Sequence, residues 1–306
     1  MARVRFFHPD HNLVHVSFKC VDDQFLLMPS QQSKFLVASV LHTTMTKYAF
    51  ELFAICVMGN HVHMVLRFQN CELAKIMQFF KSRLAMQFNS VLRRSGAFWK
   101  CRYRAQPILD EASFFAVMHY VHANPVHAHL VEQARDWPGL SSYSAVADGE
   151  SVVEVACLNE EAWTKAGRPR AIHRFFDRVA LSISQPPQWT ELHPRDSRAA
   201  REAFVCMMRD AECNARRDRL ATRMRVPTLA ALSKGDPRAR PRAQAPAKPQ
   251  PWAFGTTELV AAFRNAYRIT MEAYKRASAR FRASGILCPF PNGTFPPRIP
   301  LPMEVM

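Results

Sequence analysis

Two histidines one residue apart, His61 and His63, interrupt the apolar run FELFAICVMGNHVHMVLRF. In an extended strand residues i and i+2 share a face, so both imidazoles project together while Val62 turns toward the core. Neutral imidazole is a common metal ligand, so the pair could chelate a divalent cation. By itself the triplet is more often a solvated or hydrogen-bonded pair. A second group lies in HYVHANPVHAHL, residues 119–130. Tyr120 and Asn124 are four apart and share one helical face, whereas His122 falls off it. Tyrosine carries a nucleophilic oxygen and asparagine a carbonyl that can ligate a hard cation. Taken alone, Tyr120 fits a buried aromatic and Asn124 a helix cap. Taken together, the four fit one chemistry. A cation on His61, His63 and Asn124 polarises a phosphodiester, and Tyr120 attacks phosphorus to form a covalent phosphotyrosine.

The elements that must position these groups follow from periodicity. Residues 12–20 read as a strand and 30–48 as a helix. Residues 50–58 and 61–68 read as two strands joined at Gly59-Asn60, residues that tolerate a positive φ in a tight hairpin. Leu73, Met77, Phe80, Leu84, Phe88 and Val91 form one apolar stripe of a helix over 72–94. Residues 101–109 read as an edge strand carrying Pro107, and 111–123 as a helix stopped by Asn124-Pro125. The order strand, helix, strand, strand, helix, strand, helix predicts an α+β fold. It is a ferredoxin-like (RRM-like) antiparallel sheet sandwich, with helices on one face and the other face left open. The domain is expected over residues 1–147. A mainly helical, basic C-terminal extension follows over 148–225, with its clearest helix at 199–225. A disordered Pro/Ala/Arg-rich linker is expected over 226–252, then a helix at 256–284 ended by Gly285 and a Pro-rich tail over 253–306 as a whole.

Composition bounds the partners. The 306 residues are 48% hydrophobic, enough for a sizeable core, and carry a net charge of +16. Residues 1–150 contribute +4 and residues 151–306 contribute +12, while ten of the twelve histidines precede residue 130. Such an excess favours a polyanionic partner, either nucleic acid or an anionic membrane surface. The eight cysteines include no Cys-x-x-Cys pair, no secretory leader is readable, and no apolar run approaches a membrane span. The expectation is an intracellular, cytoplasmic (nucleoid-associated) protein without a membrane or small-molecule partner.

Three segments in order, GNHVHMVL, GAFWKCRYRAQPI and YVHANPVHAHLVEQARDWPGLSSY, resemble the single-tyrosine HUH transposases, nearest the REP-associated tyrosine transposases. The resemblance covers roughly residues 8–145. It implies His61, His63 and Asn124 as ligands of Mg²⁺ or Mn²⁺, Tyr120 as the catalytic nucleophile, and a ferredoxin-like fold. It also implies cleavage of hairpin-bearing single-stranded DNA with a 5′-phosphotyrosine intermediate, by a monomer or homodimer. The chain departs from the family at Gly59-Asn60, at His15-Val16-Ser17-Phe18-Lys19, and at His127, where the family has an arginine. Candidate DNA-binding residues are Lys19, Lys81, Arg83, Trp99, Arg102, Arg104 and His127. A non-catalytic nucleic-acid-binding protein on the RRM-like fold, a domesticated transposase, is the alternative. It would want aromatics where this sequence has two histidines.

Overall fold

A computed structural model describes residues 12–69, 73–167, 169, 171–187, 189, 197–241, 252–292, 294, 296 and 297. The N-terminal segment, Cys71 and the central part of the expected linker (242–251) lie outside the described residues.

The chain forms β1 (Leu13–Lys19), α1 (Gln31–Lys47), β2 (Phe50–Val57), β3 (His61–Phe68), α2 (Leu73–Val91), β4 (Arg104–Pro107) and α3 (Glu111–His127). The sheet order is β2-β3-β1-β4, with every neighbouring pair antiparallel. This is the expected ferredoxin-like arrangement, in which two split β-α-β units place β1 and β3 at the centre. Val14, Val16 and Phe18 alternate with Val62, Met64 and Leu66 on one face, all buried. Phe18 meets Phe80 of α2 edge-on at 6.2 Å, so this face carries the α1/α2 layer.

The opposite face is not open. Helix α3 lies across β2 and β3, burying Phe114, Val117, Met118 and Val121, and Phe114 meets Phe53 edge-on at 5.2 Å. The helix is apolar on that side, so leaving the face bare would expose it. It also runs to His127, past the predicted stop. Pro125 removes one bond, to the carbonyl four residues back, but it sits in the last turn. There the Ala128 and Leu130 amides still donate to Asn124 O and Pro125 O, and His129 at φ 56° ends the helix.

The Gly59-Asn60 connection also differs from expectation. Neither residue has a positive φ. The turn is held instead by the 20–27 loop: Leu27 N–H donates to Gly59 O at 2.9 Å and Cys20 N–H to Asn60 O at 2.8 Å. A Cβ at residue 59 would come 3.1 Å from the Phe25 ring, so glycine serves close approach here. Strand β2 would be a bare edge, but residues 137–142 cover it. Val57 N–H donates to Leu140 O at 2.8 Å, and Trp137 Nε1–H donates to Val57 O at 3.1 Å.

The extension opens with structure the sequence did not signal. After α4 (Tyr143–Asp148) come β5 (Val152–Leu158), α5 (Glu160–Lys165) and β6 (Phe176–Ser182), with β5 and β6 forming a two-stranded antiparallel sheet. It packs outside α1, with Phe35 against Phe176 at 5.1 Å. Helix α6 (Ser197–Thr222) buries Phe204, Met208, Ala211 and Ala215 and packs on α3 and α4. Within the expected linker, α7 (Leu229–Lys234) is followed by Ala239, whose carbonyl accepts from Phe25 N–H at 3.1 Å. Helix α8 (Thr257–Ser284) ends at Gly285, as expected, with φ 69°. No described helix is long and apolar enough to cross a membrane.

Candidate active site and nucleic-acid interface

Strand alternation puts His61 and His63 of β3 on the α3 side, with Val62 buried in the opposite layer. Register then places Lys19 opposite His61, Ser17 opposite His63 and His15 opposite Val65. From β4, Arg104 lies opposite Ser17 and Gln106 opposite His15. One sheet face therefore collects three imidazoles, an amide and two cations. Helix α3 lays Tyr120 and Asn124 over them. The His61 and His63 rings are 5.0 Å apart, and Tyr120 meets His63 edge-on at 5.4 Å and His15 at 6.1 Å. The Asn124 side chain hydrogen-bonds His61. Tyr120 remains 40% exposed and so is open to solvent, while Asn124 is buried.

The hydrogen bonds determine which ring nitrogen each histidine presents. Asn60 Nδ2 donates to Asp23 O at 3.0 Å, which directs Asn60 Oδ1 to accept from His61 Nδ1–H at 2.6 Å. His61 Nε2 therefore carries the lone pair. His15 Nδ1–H donates to Gln106 Oε1 at 3.1 Å, so His15 Nε2 accepts from His63 Nδ1–H at 2.9 Å. His63 Nε2 likewise keeps its lone pair. His15 and His63 are also stacked, with centroids 5.1 Å apart at 6°. Burial pushes His15 and His61 down to about 4. Burial, with the neighbouring His61, His15 and Lys19, holds His63 well below the usual range. All three rings are thus neutral near pH 7, the form a metal needs. Among the described residues no three His, Cys, Asp or Glu side chains are grouped to hold a metal ion, because His15 turns its free nitrogen to His63. The groups on this face that could hold a cation are the two Nε2 atoms and the Asn124 side-chain carbonyl.

The structure brings Tyr120, His61, His63, Asn124, Lys19 and Arg104 together on one face. It does not bring the other candidates there in the same way. Lys81 Nζ donates to Cys101 O at 2.9 Å and sits over the Phe18 and Trp99 rings. Trp99 donates from Nε1 to Lys81 O at 2.8 Å and packs edge-on against Phe18 and Phe98. Arg83 pairs with Glu160 at 3.0 Å. Arg102 is exposed, outside β4, over the Tyr103 ring at 5.3 Å. His127 lies against His119, and both line a cavity shared with Asp210 and Asp218 of α6. Sequence reasoning missed Gln106 and Phe254, whose ring lies 5.6 Å from His15, and it treated His15 only as part of a family-like strand. The polar position of His15 within the apolar alternation LVHVSF was the available signal.

Residues 27–124 match the family model described as transposase IS200 like. That segment contains His61, His63, Tyr120 and Asn124, and the match agrees with the resemblance carried by the sequence motifs. A protein of Haemophilus influenzae named a REP-associated tyrosine transposase is 27% identical over 111 residues, which is 33% of this chain. The chain spans 63% of that relative's length. Among solved structures, a REP-associated tyrosine transposase bound to a REP hairpin aligns with TM-score 0.41 at 18% identity, covering 49% of this chain and 86% of that one. A transposase from Deinococcus radiodurans aligns with TM-score 0.28 at 16% identity, covering 36% and 87%.

Proposed function

From the match of residues 27–124 to the IS200-like transposases, we propose that this chain cleaves and rejoins single-stranded DNA, with Tyr120 as nucleophile. The observation that carries the reading is the placement of Tyr120. One turn from Asn124, it lies edge-on to His63 at 5.4 Å and is open to solvent. His61 and His63, through their Nε2 atoms, and Asn124 would hold a divalent cation, Mg²⁺ or Mn²⁺. Bound there, the cation neutralises charge developing on a phosphodiester oxygen. Asn60 and the His15–Gln106 pair hold the two imidazoles in the tautomers that leave those nitrogens available. Lys19 and Arg104 supply positive charge to the DNA backbone from the same face. The Tyr120 Oη–P bond forms as the P–O3′ bond breaks, leaving a 5′-phosphotyrosine and a free 3′-OH. Reversal of that step rejoins strands. Hairpin-bearing single-stranded DNA is the substrate class implied by the resemblance of the three sequence motifs to the REP-associated tyrosine transposases.

Incubation with a library of hairpin-bearing single-stranded DNA and Mn²⁺ tests this. The wild type should yield a protein–DNA adduct that survives denaturation, and Tyr120→Phe should yield none. An adduct with the Tyr120→Phe variant would reassign the nucleophile. No adduct with wild type across diverse sequences would favour the binding-protein alternative.

A further inference from the structure

The segment just before α8 is built into the catalytic sheet. Phe254 N–H donates to Pro107 O at 2.8 Å, and Leu109 N–H donates to Phe254 O at 2.8 Å, so this residue extends the β4 edge in parallel. Asp110 does two jobs beside it. Its Oδ1 caps α3 by accepting from Ser113 N–H at 2.7 Å, and its Oδ2 accepts from Thr256 N–H at 2.9 Å, at the cap of α8. The helix that carries Tyr120 and helix α8 therefore start from the same carboxylate. Phe254 packs on His15, so the root of α8 is a wall of the candidate site.

Beyond that root α8 is strangely bare for an anchored helix. Of its 28 residues only Phe263, Ala277 and Ser278 are buried. It carries six Lys/Arg and two Glu. Trp252, 52% exposed, stands edge-on to Tyr267 at 5.2 Å. These two rings and Arg264, Arg268, Lys275 and Glu272 line a cavity of about 590 Å³. Glu272 pairs with Arg268 at 2.9 Å, and the cleft keeps an excess of two positive charges. Aromatic rings interleaved with cations are what unstacked bases and a phosphate backbone require. A double helix hides its base faces and cannot use the rings.

We propose that the Trp252–Tyr267 cleft of α8 binds the single-stranded DNA substrate next to the candidate active site. A base stacks on Trp252 or Tyr267, and Arg264 and Lys275 hold adjacent phosphates. The occupant rests on the DNA-cleaving reading, but the cleft can be tested without chemistry.

The test uses the full chain carrying Tyr120→Phe, so that binding is read without covalent product. Fluorescence anisotropy with a labelled single-stranded oligonucleotide is measured over a range of salt concentrations, with the matching duplex in parallel. Trp252→Ala should weaken single-strand binding by about tenfold and Trp252→Phe should restore most of it, with little change for duplex. Arg264→Gln and Lys275→Gln should each lower the log–log salt slope by about 0.7. Unchanged affinity in the Trp252→Ala variant, with circular dichroism intact, would overturn the proposal. So would equal losses for single strand and duplex. A loss that appears only because Trp252→Ala splits a homodimer, read by light scattering, would mean that the cleft is an interface between copies. With Tyr120 intact, adduct formation separates the two readings: Trp252→Ala should need about tenfold more DNA than wild type for half-maximal adduct. If wild type forms none while the Trp252 effect on binding persists, the cleavage reading fails and the cleft stands.

Discussion

At the scale of single residues, the site depends on which ring nitrogen each histidine offers. The chain Gln106–His15–His63 passes hydrogen bonds inward from β4 through β1 to β3, and its direction follows from an amide oxygen that can only accept. Replacing His15 removes the acceptor that holds His63 Nδ1–H, leaving that ring able to rotate or change tautomer. His15→Phe should lower Mn²⁺ affinity by about 10- to 100-fold, measured by loss of the free-ion paramagnetic resonance signal on titration. Equal affinity in variant and wild type would mean that the contact is packing alone. Lys81 gives a pH-dependent case. Burial pushes its ammonium down to about 8, against 10.5 for an ordinary lysine. Between those values the unfolded chain holds a proton that the folded chain has released, so stability from this group rises with pH. The folded protein bears the cost of a desolvated charge below pH 8 and is relieved of it above. Relative to Lys81→Met, wild type should therefore gain stability as pH rises from about 8 to 10.5, read by urea denaturation at fixed ionic strength. A gap that widens against wild type would contradict this sign.

At the scale of elements, α3 is the part that converts a sheet with two histidines into a site. Its position is fixed from both sides. Asp110 caps its start, and His122 on its buried flank hydrogen-bonds Ser142 Oγ at 2.9 Å. The same hydroxyl accepts from Ile55 N–H of β2 at 2.9 Å. Ser142 therefore ties the helix to the sheet edge through one buried atom. Ser142→Ala leaves the Ile55 amide and the His122 ring without that partner, at a cost of about 1–3 kcal/mol. Thermal unfolding by circular dichroism should show the loss as a lower Tm. If Tm is unchanged, ordered water has taken over the bonds. Helix α6 supports α3 from behind, with Phe204 against His122 at 5.7 Å and the Glu212 carboxylate accepting from Ala134 N–H at 2.8 Å. The extension is thus a buttress of the helix that carries Tyr120 as well as a source of charge.

At the scale of the whole molecule, the chain carries +16, three quarters of it after residue 150. Several cations of the first half are engaged within the fold: Arg83 with Glu160, Lys100 with Asp23 and Arg135 with Asp148. Exposed ion pairs of this kind contribute little to stability but withdraw charge from a passing polyanion. DNA attraction should accordingly come largely from Lys19, Arg104 and the later helices. Affinity for single-stranded DNA should fall linearly in log–log terms with salt, by about 0.7 per phosphate contacted. Removing charge in α8 should flatten the slope more than substituting Arg83. A larger effect at Arg83 would show that its pairing with Glu160 opens on binding.

The α+β order, the strand pair and the shared face of His61 and His63 were readable because side-chain period is a local property of the backbone. The same holds for Tyr120 and Asn124, one helical turn apart. Local period says nothing of register between distant strands, so the apposition of Gln106 with His15, and of His15 with His63, could not be read. Nor could it show that α3 covers the other sheet face, since that depends on an apolar helix flank finding an apolar sheet. The hairpin turn was misread for a related reason: a Gly-Asn pair suits a positive φ, but here neighbouring loop carbonyls and amides hold it in another form. The β5–β6 pair has weak alternation and is stabilised by packing on α1, 119 residues away in sequence where Ser39 Oγ accepts from Leu158 N–H. The sequence named the chemical groups and the faces they occupy. Tertiary packing alone decided which faces meet, because the contacts that choose among them join residues far apart along the chain.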